Sequence, residues 1–309
     1  MNVLAFDTSN YTTSVAVFDG TQGHNVSRLL DVEQGSLGLR QSDALFAHIK
    51  RLPELTDRLF SDIGRVPLEA IGVSTRPRAV EGSYMPCFLA GESQARVLAS
   101  ALHLPLYTFS HQQGHIAASL FSSAHMELMD EPHLAWHLSG GTTELLYVTP
   151  EGCSVHAEKI GGTTDISAGQ LIDRTGKLLG LQFPSGKELD RLSRSASDRE
   201  VFRVKVKDME LSLSGVQNKV EKYHSGKAEE TAGYALRCLI GAIVEATKNA
   251  LKQYPGCKVV FAGGVASNSM LRERCQALPA VFCPPQYATD NALGTAVLTW
   301  RAYHAAADL

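Results

Sequence analysis

The stretch that decides the fold spans residues 134–148 and reads LAWHLSGGTTELLYV. A short apolar run meets Ser139-Gly140-Gly141-Thr142-Thr143, and the apolar run that follows alternates as a half-buried strand does. The two runs, with a glycine pair between them, predict a β-hairpin with a Gly-Gly tip. Such a tip leaves backbone N–H groups accessible, because glycine carries no side chain to cover them.

The same pattern occurs earlier in the chain, at residues 4–17, which read LAFDTSNYTTSVAV. The matched pairs are Leu4 with Leu134, Ala5 with Ala135, Ser9 with Ser139, and Thr12 and Thr13 with Thr142 and Thr143. Two amphipathic hairpins can share composition by chance. The other explanation is an internal duplication, in which two similar lobes each offer a hydroxyl-rich hairpin.

Length and composition are those of an ordinary globular protein. The 309 residues, 44% apolar and 20% charged, suit one large domain or two smaller ones. A net charge near −3 gives no global basic field, so contact with nucleic acid would need a local patch or a partner protein. The six cysteines form no C-x-x-C pair, which is typical of reduced thiols. Without a signal-peptide pattern or a long apolar run, we predict a cytoplasmic protein that does not enter a membrane.

The order of predicted elements is that of an α/β fold. Helical apolar spacing predicts helices, and short apolar or alternating runs predict strands. The predicted strands are at 3–6, 14–18, within 25–32, and at 68–74, 104–109, 134–139, 143–149, 153–160 and 258–261. The predicted helices are at 42–60, 91–102, 111–121, 169–179, 228–253 and 291–306. The polar, charged segment 185–203 is interpreted as an insertion.

The hairpin tips are candidate phosphate sites. Glycine lets the main chain approach a ligand closely, and a concave run of N–H groups attracts anions. Asp7 ends the first predicted strand, where a carboxylate could hold a phosphate-bound Mg²⁺ through water. The alternative is that Asp7 only caps a turn. Gly263-Gly264, between a strand and a helix, resembles a nucleotide-binding turn, but it is neither G-x-G-x-x-G nor a Walker loop.

Two histidines are candidate metal ligands. His111 and His115 are four residues apart on a predicted helix, so both imidazoles lie on one face. His133 and His137 have the same spacing but fall on a predicted strand, where four residues span roughly 13 Å, too far for one ion. Asp290, at the head of the last helix, is a candidate third ligand, although a helix N-cap is the commoner role of such a residue.

Together these pieces resemble the tRNA threonylcarbamoyladenosine transferase family, also called O-sialoglycoprotein endopeptidases. The similarity runs nearly end to end. The motifs, in chain order, are the hairpin 4–17, HQQGH at 111–115 for H-x-E-G-H, SGGTT at 139–143 for S-G-G-H-T, TDISAGQLIDRTGKLLGL at 164–181, PSG at 184–186 for P-G-G, LSLSGV at 211–216, AGGVASN at 262–268 and TDN at 289–291.

The resemblance implies the two-lobed fold of the actin, sugar-kinase and heat-shock-protein-70-like ATPases, built from duplicated ribonuclease-H-like units. Lobe I would comprise residues 1–110 and about 292–309, with the phosphate hairpin 4–17. Lobe II would comprise residues 111–291, with the metal helix 111–121, the phosphate hairpin 134–148 and the nucleoside-binding segments. In this family the lobes close over the nucleotide as a hinge.

Site residues follow from the same resemblance. The implied metal is Fe or Zn, between which histidine and carboxylate ligands cannot decide, and its ligands are His111, His115 and Asp290. Asp7, His111 and His115 would act in catalysis. ATP or threonylcarbamoyl-adenylate, with Mg²⁺ as a further candidate cofactor, would contact the following residues: Ser139, Gly140, Gly141, Thr142, Asp173, Gly186, Asp190, Gly263, Gly264 and Asn268.

The sequence also departs from the family pattern. Tyr11 and Thr12 stand where the family has two acidic residues, Gln113 replaces a glutamate, and Thr142 replaces a histidine. The T-x-G-P-G-L segment reads STRPRAV at 74–80. Loss of two carboxylates changes the local charge and removes candidate metal-water or base contacts. These departures predict a divergent member of the family.

The implied reaction transfers threonylcarbamoyl from its adenylate to N6 of adenosine 37 in tRNA. Relatives work with a smaller paralogue and an ATPase, so tRNA, such helper proteins and a homo- or heterodimer are the expected partners. Two alternatives remain: carbamoyl or acyl transfer to another acceptor, and a nucleotide-binding scaffold without turnover. A metalloendopeptidase is least favoured, because HQQGH lacks the general-base glutamate of H-E-x-x-H.

Overall fold

The computed structural model describes residues 1–9, 12–31, 40–284 and 291–307. The chain divides into two compact units. Unit 1 comprises Met1–Glu131, Thr149–Ala157 and Asp290–Leu309, and unit 2 comprises Pro132–Val148 and Glu158–Thr289. Each unit carries one mixed β-sheet with helices packed on it.

Unit 1 is built on a sheet of five strands in the order β3-β2-β1-β4-β5. β1 pairs with β2 antiparallel and with β4 parallel, so the predicted hairpin lies in the middle of the sheet. The strands are β1 (Asn2–Asp7), β2 (Thr12–Phe18), β3 (Gly23–Leu29), β4 (Leu68–Arg76) and β5 (Leu106–Ser110). The helices are α1 (Gln41–Ile63), α2 (Phe88–Leu102) and α3 (His111–Ser122), with α9 (Leu293–Ala307) joining them from much later in the chain.

Unit 2 contains most of a sheet of seven strands in the order β12-β11-β6-β7-β8-β10-β9. Residues 149–157, which are the end of β7, the turn after it and the start of β8, are assigned to unit 1. The strands are β6 (His133–Leu138), β7 (Thr143–Glu151), β8 (Ser154–Thr163), β9 (Val206–Lys207), β10 (Glu210–Leu211), β11 (Val259–Ala262) and β12 (Ala280–Phe282). The helices are α4 (Ala168–Leu178), α5 (Gly186–Ser193), α6 (Ser214–Tyr223), α7 (Ala228–Gln253) and α8 (Ser269–Arg274).

The repeated hairpin is the centre of both sheets, as the duplication predicts. β6 pairs with β7 antiparallel and with β11 parallel, which repeats the arrangement of β1 with β2 and β4. Trp136 on β6 is fully buried, and its indole N–H donates to Thr247 Oγ1 on α7 at 2.9 Å. The buried indole is thereby both packed and hydrogen-bonded, which anchors the hairpin to the longest helix of unit 2.

The structure differs from the sequence prediction in where it places the helix with the two histidines. Residues 111–121 were expected in lobe II, but α3 belongs to unit 1. The cause is its packing on α9, where Gly294 meets Gly114 so closely that a Cβ built on Gly294 would lie 1.8 Å from the Gly114 carbonyl oxygen. Two glycines at one crossing let the helix backbones touch, and a residue with a side chain would hold them apart.

The segment 185–203 is an integral part of unit 2 rather than a polar insertion. It forms α5, whose Leu189 and Leu192 are buried in the main hydrophobic core. The interpretation failed because α5 is short and strongly amphipathic, so its charged face dominates the composition. No helix within the described residues is long and apolar enough to cross a bilayer.

Candidate functional site

Asp7 is a buried carboxylate at the end of β1 with three partners from different parts of unit 1. Its Oδ1 accepts from the Ser9 amide at 2.9 Å, so it does cap the turn after the strand. Its Oδ2 accepts from the Ser74 hydroxyl and lies 2.8 Å from His111 Nδ1. Asp7 therefore closes a local turn and at the same time orients an imidazole 104 residues away along the chain.

Burial and hydrogen bonding shift the pKa of the Asp7 carboxylate in opposite directions. Burial raises the pKa of Asp7, but the charge interaction with His111 and the hydrogen bonds from His111, Ser74 and Ser9 together outweigh it. The net result is a pKa below the usual value of 3.8. Asp7 is thus an ionised acceptor at neutral pH, and it favours a proton on the Nδ1 atom that faces it.

His111 and His115 meet on α3 as the helical spacing predicts. Their rings are 4.2 Å apart between centroids, and their Nε2 atoms lie 2.8 Å from each other. When His111 is neutral, a proton on Nδ1 places the in-plane lone pair of the ring on Nε2, the atom that faces His115. A carboxylate that holds the far nitrogen of an imidazole is the common outer contact of metal-binding histidines.

The start of α3 is fixed by a capping box formed by Ser110 and Gln113. Ser110 Oγ accepts from the Gln113 amide at 3.2 Å, and Gln113 Oε1 accepts from the Ser110 amide at 2.9 Å. Gln113 Nε2 also donates to the Val155 carbonyl at 2.9 Å. An ionised glutamate could not make this last bond, so an amide is the side chain that satisfies all of these contacts.

The donor set of His111 and His115 fits a divalent first-row metal ion. Two imidazole nitrogens converge on one point, and the outer nitrogen of His111 is held by Asp7. The expected third ligand, Asp290, lies outside the described residues, as does Tyr11. Within the described ranges no group of three or more His, Cys, Asp or Glu side chains is placed to hold a metal.

The second histidine pair lies on a strand, as expected. His133 and His137 are the first and fifth residues of β6, and His133 is fully buried. Four residues of extended chain place their backbones roughly 13 Å apart. Since one ion cannot bridge that distance, His133 serves as a control for any experiment on His111.

The second hairpin tip forms a compact loop in unit 2. Ser139 N donates to the Thr142 carbonyl at 2.8 Å, and Thr142 N donates to Ser139 Oγ at 3.0 Å. Gly140 and Gly141 at the tip are exposed. The first turn of α4 lies against this loop, because Gly169 has no side chain: a Cβ there would be 2.5 Å from Gly140 Cα. A helix N-terminus beside exposed amides favours an anion such as phosphate.

The expected nucleoside contacts fall into two hydrogen-bonded groups in unit 2. Asp173 Oδ1 accepts from the Ser185 amide at 2.9 Å, and its partial burial, only partly offset by that bond, raises its pKa. Gly186 follows directly as the first residue of α5. Asp190 Oδ1 accepts from Asn268 Nδ2 at 2.9 Å and from Ser269 Oγ at 2.8 Å. The structure thus joins Asp190 and Asn268 in one cluster.

The glycine turn after β11 is required by close packing. Gly263 has a φ of +93°, and a Cβ on it would lie 2.2 Å from the Leu138 carbonyl oxygen. Gly264 begins a 3-10 turn and is exposed. This turn therefore lies beside the end of β6, the strand that leads into the Ser139–Thr142 loop, although the two segments are far apart in sequence.

Sequence reasoning missed two site residues, Ser74 and Gln113. Ser74 donates to Asp7, and it ends the buried part of β4, the parallel neighbour of β1. Carboxyl ends of adjacent parallel strands meet at one sheet edge, so the predicted α/β order already contained the signal for Ser74. Gln113 was read only as a departure from a glutamate, and its capping partner Ser110 was the available clue.

Comparison with known proteins identifies the family. A family model described as tRNA N6-adenosine threonylcarbamoyltransferase matches residues 34–297. A protein of that name from Carboxydothermus hydrogenoformans is 31% identical over 318 residues, covering 98% of this chain and 91% of the relative. One from Lacticaseibacillus casei is 32% identical over 298 residues, covering 91% of this chain and 84% of the relative.

Solved structures support the fold. HypF from T. kodakarensis superposes with a TM-score of 0.64 at 14% identity, covering 98% of this chain and 48% of that one. The ROK hexokinase from Thermus thermophilus superposes with a TM-score of 0.55 at 17% identity, covering 98% and 99%. These likenesses confirm the actin-like ATPase fold class. With the sequence matches, they show that the chain belongs to the tRNA N6-adenosine threonylcarbamoyltransferase family.

Proposed function

We propose that this protein transfers a threonylcarbamoyl group from its adenylate to N6 of adenosine 37 in tRNA. The observation that carries the proposal is the chain of contacts from Ser74 through Asp7 and His111 to His115 in unit 1. It supplies two convergent imidazole nitrogens backed by an ionised carboxylate, in a chain whose relatives are named for this transfer.

His111 and His115, with Asp290, would hold a divalent ion, Fe or Zn. When bound, the ion supplies Lewis-acid polarisation of the mixed anhydride and an anchor for its phosphate. The part of Asp7 is to keep the proton of His111 on Nδ1, so that Nε2 stays available as a ligand. Ser74 holds the carboxylate in that orientation by donating its hydroxyl proton to Oδ2.

Unit 2 would bind the nucleotide part of the donor, as ATP or as the adenylate. The exposed amides of Gly140 and Gly141, beside the first turn of α4, suit the phosphate, with or without Mg²⁺. Ser139 and Thr142 shape that loop. The nucleoside would lie against Asp173, Gly186, Asp190, Gly263, Gly264 and Asn268. Asp190 and Asn268 bond to each other, so binding there exchanges an internal hydrogen bond for one to the ligand.

During transfer, N6 of the adenine attacks the carbamoyl carbon and the bond from that carbon to the adenylate phosphate oxygen breaks. AMP leaves with the electron pair of that bond, and one N6 proton passes to a base or to solvent. The protein would work in the cytoplasm with tRNA, a smaller paralogue and an ATPase as helpers, in a homo- or heterodimer.

A second candidate function is transfer of the same kind to an acceptor that carries an anionic group. It is favoured by Arg76 and Arg78, which stand where the family motif has glycines and are exposed at the end of β4. The Pro77 carbonyl between them accepts from the Gln112 amide at 3.0 Å, next to His111. Because Thr12 is uncharged where the family is acidic, the local charge is more positive than in the family pattern.

The transfer itself is tested with purified protein, helper proteins, threonylcarbamoyl-adenylate and tRNA, with the product nucleoside measured by mass spectrometry. We expect the modified base. Absence of product under conditions in which the Carboxydothermus hydrogenoformans relative yields it would contradict tRNA transfer. Product on a phosphorylated or carboxylated small acceptor instead, lost in Arg76→Gly/Arg78→Gly, would establish the second candidate.

Metal binding is tested by elemental analysis of His111→Ala and His133→Ala. The first substitution removes one of two convergent nitrogens, so we expect bound Fe or Zn to fall from near one equivalent to less than about a tenth of that. The second alters a histidine with the same spacing on β6 and should keep its metal. Equal metal content in both variants and the unaltered protein would rule out the His111 and His115 site.

A further inference from the structure

An open recess in unit 2 is lined by none of the residues assigned above. It has a volume of about 490 Å³ and is formed by the chain after α5, the second half of α6 and the start of α7. Its lining residues are Glu200, Val201, Phe202, Lys219, Lys222, Tyr223 and Tyr234. The segment from Glu200 to Phe202 overlaps the one that composition alone marked as an insertion, and the proposed function leaves it without a role.

The recess presents aromatic rings held in fixed positions. Tyr223 and Tyr234 stack with centroids 4.1 Å apart and planes 6° from parallel. Tyr234 is buried beneath, and the Tyr223 hydroxyl donates to Asp198. Phe202 also lines the recess and is 36% exposed. A planar group that enters the recess would meet aromatic rings that lose little freedom on binding, since two of them are already stacked.

The charges around the rings favour an anion at the mouth. Lys219 and Lys222 are exposed on α6 and form no ion pair within the described ranges, while Lys219 Nζ lies 5.2 Å above the Phe202 ring. The hydrogen bond to Asp198, together with burial, raises the pKa of Tyr223 to about 12, so the phenol stays neutral. The lining side chains thus carry two positive charges, on Lys219 and Lys222, against one negative charge, on Glu200.

Below the recess lies a buried cation. Arg237 is 7% exposed, and its Nε donates to the Glu200 carbonyl at 3.0 Å. Its Nη2 is buried and makes no hydrogen bond to the described part of the chain. The Arg237 guanidinium, which is hydrogen-bonded to the backbone of the lining segment, adds positive potential to the recess. The Glu200 carboxylate at the rim is an acceptor that suits an exocyclic amino group of a base.

We infer that this recess binds an unpaired nucleotide of an RNA strand, with its base against the aromatic rings of Phe202 and Tyr223 and its phosphates at Lys219 and Lys222. Aromatic platforms combined with lysines along one side are how proteins bind single-stranded nucleic acids. The chain carries a net charge near −3, so RNA contact requires a local patch of this kind. The inference rests on the proposed function, because it supplies a tRNA contact outside the transfer site.

The test is a direct binding measurement that needs neither metal nor donor. The probe is a fluorescein-labelled, unstructured ten-nucleotide RNA, measured by anisotropy at several salt concentrations. We expect Phe202→Ala to weaken binding about 5- to 150-fold, the range for removal of one stacking partner. We expect Lys219→Gln/Lys222→Gln to reduce the slope of log K against log salt by about 1.4, the value for two phosphate contacts on a single strand.

The matched control is Phe46→Ala. Phe46 is an exposed ring on α1 with Lys50 Nζ 5.5 Å from its centroid, a ring and ammonium pair like that of Phe202 and Lys219 but outside the recess. It should leave RNA affinity unchanged, and thermal unfolding of each variant checks that the fold is intact. RNA affinity equal in Phe202→Ala and Phe46→Ala would overturn the inference.

Three further outcomes distinguish this inference from a protein-binding recess and from the proposed function. A polyglutamate peptide that binds as tightly and with the same loss in Phe202→Ala would overturn base stacking in favour of a protein partner. If the unaltered protein modifies tRNA but binds the RNA probe no more tightly than the Phe202→Ala variant does, the inference about the recess is wrong and the proposed function is unaffected. Protein that binds RNA through Phe202 but makes no modified base would contradict the proposed function and leave the recess standing.

Discussion

Replacement of Asp7 by asparagine is expected to lower the affinity of the His111 and His115 pair for Fe or Zn by about 10- to 100-fold. The amide keeps the volume of the carboxylate and can still accept from the Ser9 amide, so the turn after β1 should survive. It loses the charge that favours a proton on His111 Nδ1, and its NH₂ group can donate to that atom instead. The imidazole then carries its proton on Nε2, where a metal ligand needs a lone pair.

The measurement is a metal titration with a competing chelator, followed by the transfer assay. Asp19→Asn is the matched control, because Asp19 also accepts from the amide two residues later, at 2.7 Å, but orients no imidazole. We expect that control to bind metal normally and the rate of transfer in Asp7→Asn to fall with its metal occupancy. Unchanged affinity in Asp7→Asn would show that Asp7 serves the turn only.

Replacement of Gly294 by valine is expected to destabilise unit 1 by about 3 kcal/mol or more, the upper end for overpacking a buried contact. A Cβ at this position would lie 1.8 Å from the Gly114 carbonyl oxygen and 2.8 Å from the Ala118 amide nitrogen. Both are backbone atoms of α3 and cannot rotate away. The two helices must therefore separate, and α3 carries both histidines, so metal affinity should fall as well.

Each unit contains one tryptophan, so the unfolding of each unit can be followed separately by fluorescence. In a Trp136→Phe background, Trp300 on α9 is the remaining tryptophan, and its fluorescence in urea follows unit 1. Gly241→Ala on α7 is the control, because a Cβ there meets nothing within 4 Å. Because α7 belongs to unit 2, that change should leave the unfolding transition reported by Trp300 unchanged. Equal urea midpoints for Gly294→Val and its parent would contradict the argument.

The hairpins and the histidine helix could be predicted because they depend on local pattern. β6 and β7 pair as the Gly-Gly tip predicts, although both strands are buried on both faces over most of their paired length instead of half-buried. Ser110 marks the start of α3 through its capping hydrogen bonds. The spacing of His111 and His115 fixes them on one helix face whatever the rest of the chain does. These features need no knowledge of distant residues.

The rest depended on contacts between segments remote in sequence. Ser74 reaches Asp7 only because β4 lies beside β1, and α3 packs closely on α9 because Gly114 meets Gly294. Composition did not reveal the buried face of α5, because Leu189 and Leu192 are a small part of a segment that is mostly polar and charged. Composition reports how much of a helix is polar, but not which face it buries.

The packing of α3 against α9 sets an order of events during synthesis. The ribosome completes α3 at Ser122 but does not reach Leu293 until the whole of unit 2 has been made. At about 5 to 20 residues per second, this interval is on the order of ten to thirty seconds. Throughout it the histidine helix lacks its partner, whereas unit 2 has all of its strands by the time the ribosome reaches Leu293. Nascent chains should therefore acquire a native unit 2 first, and the histidines should become competent for metal only after α9 has left the exit tunnel.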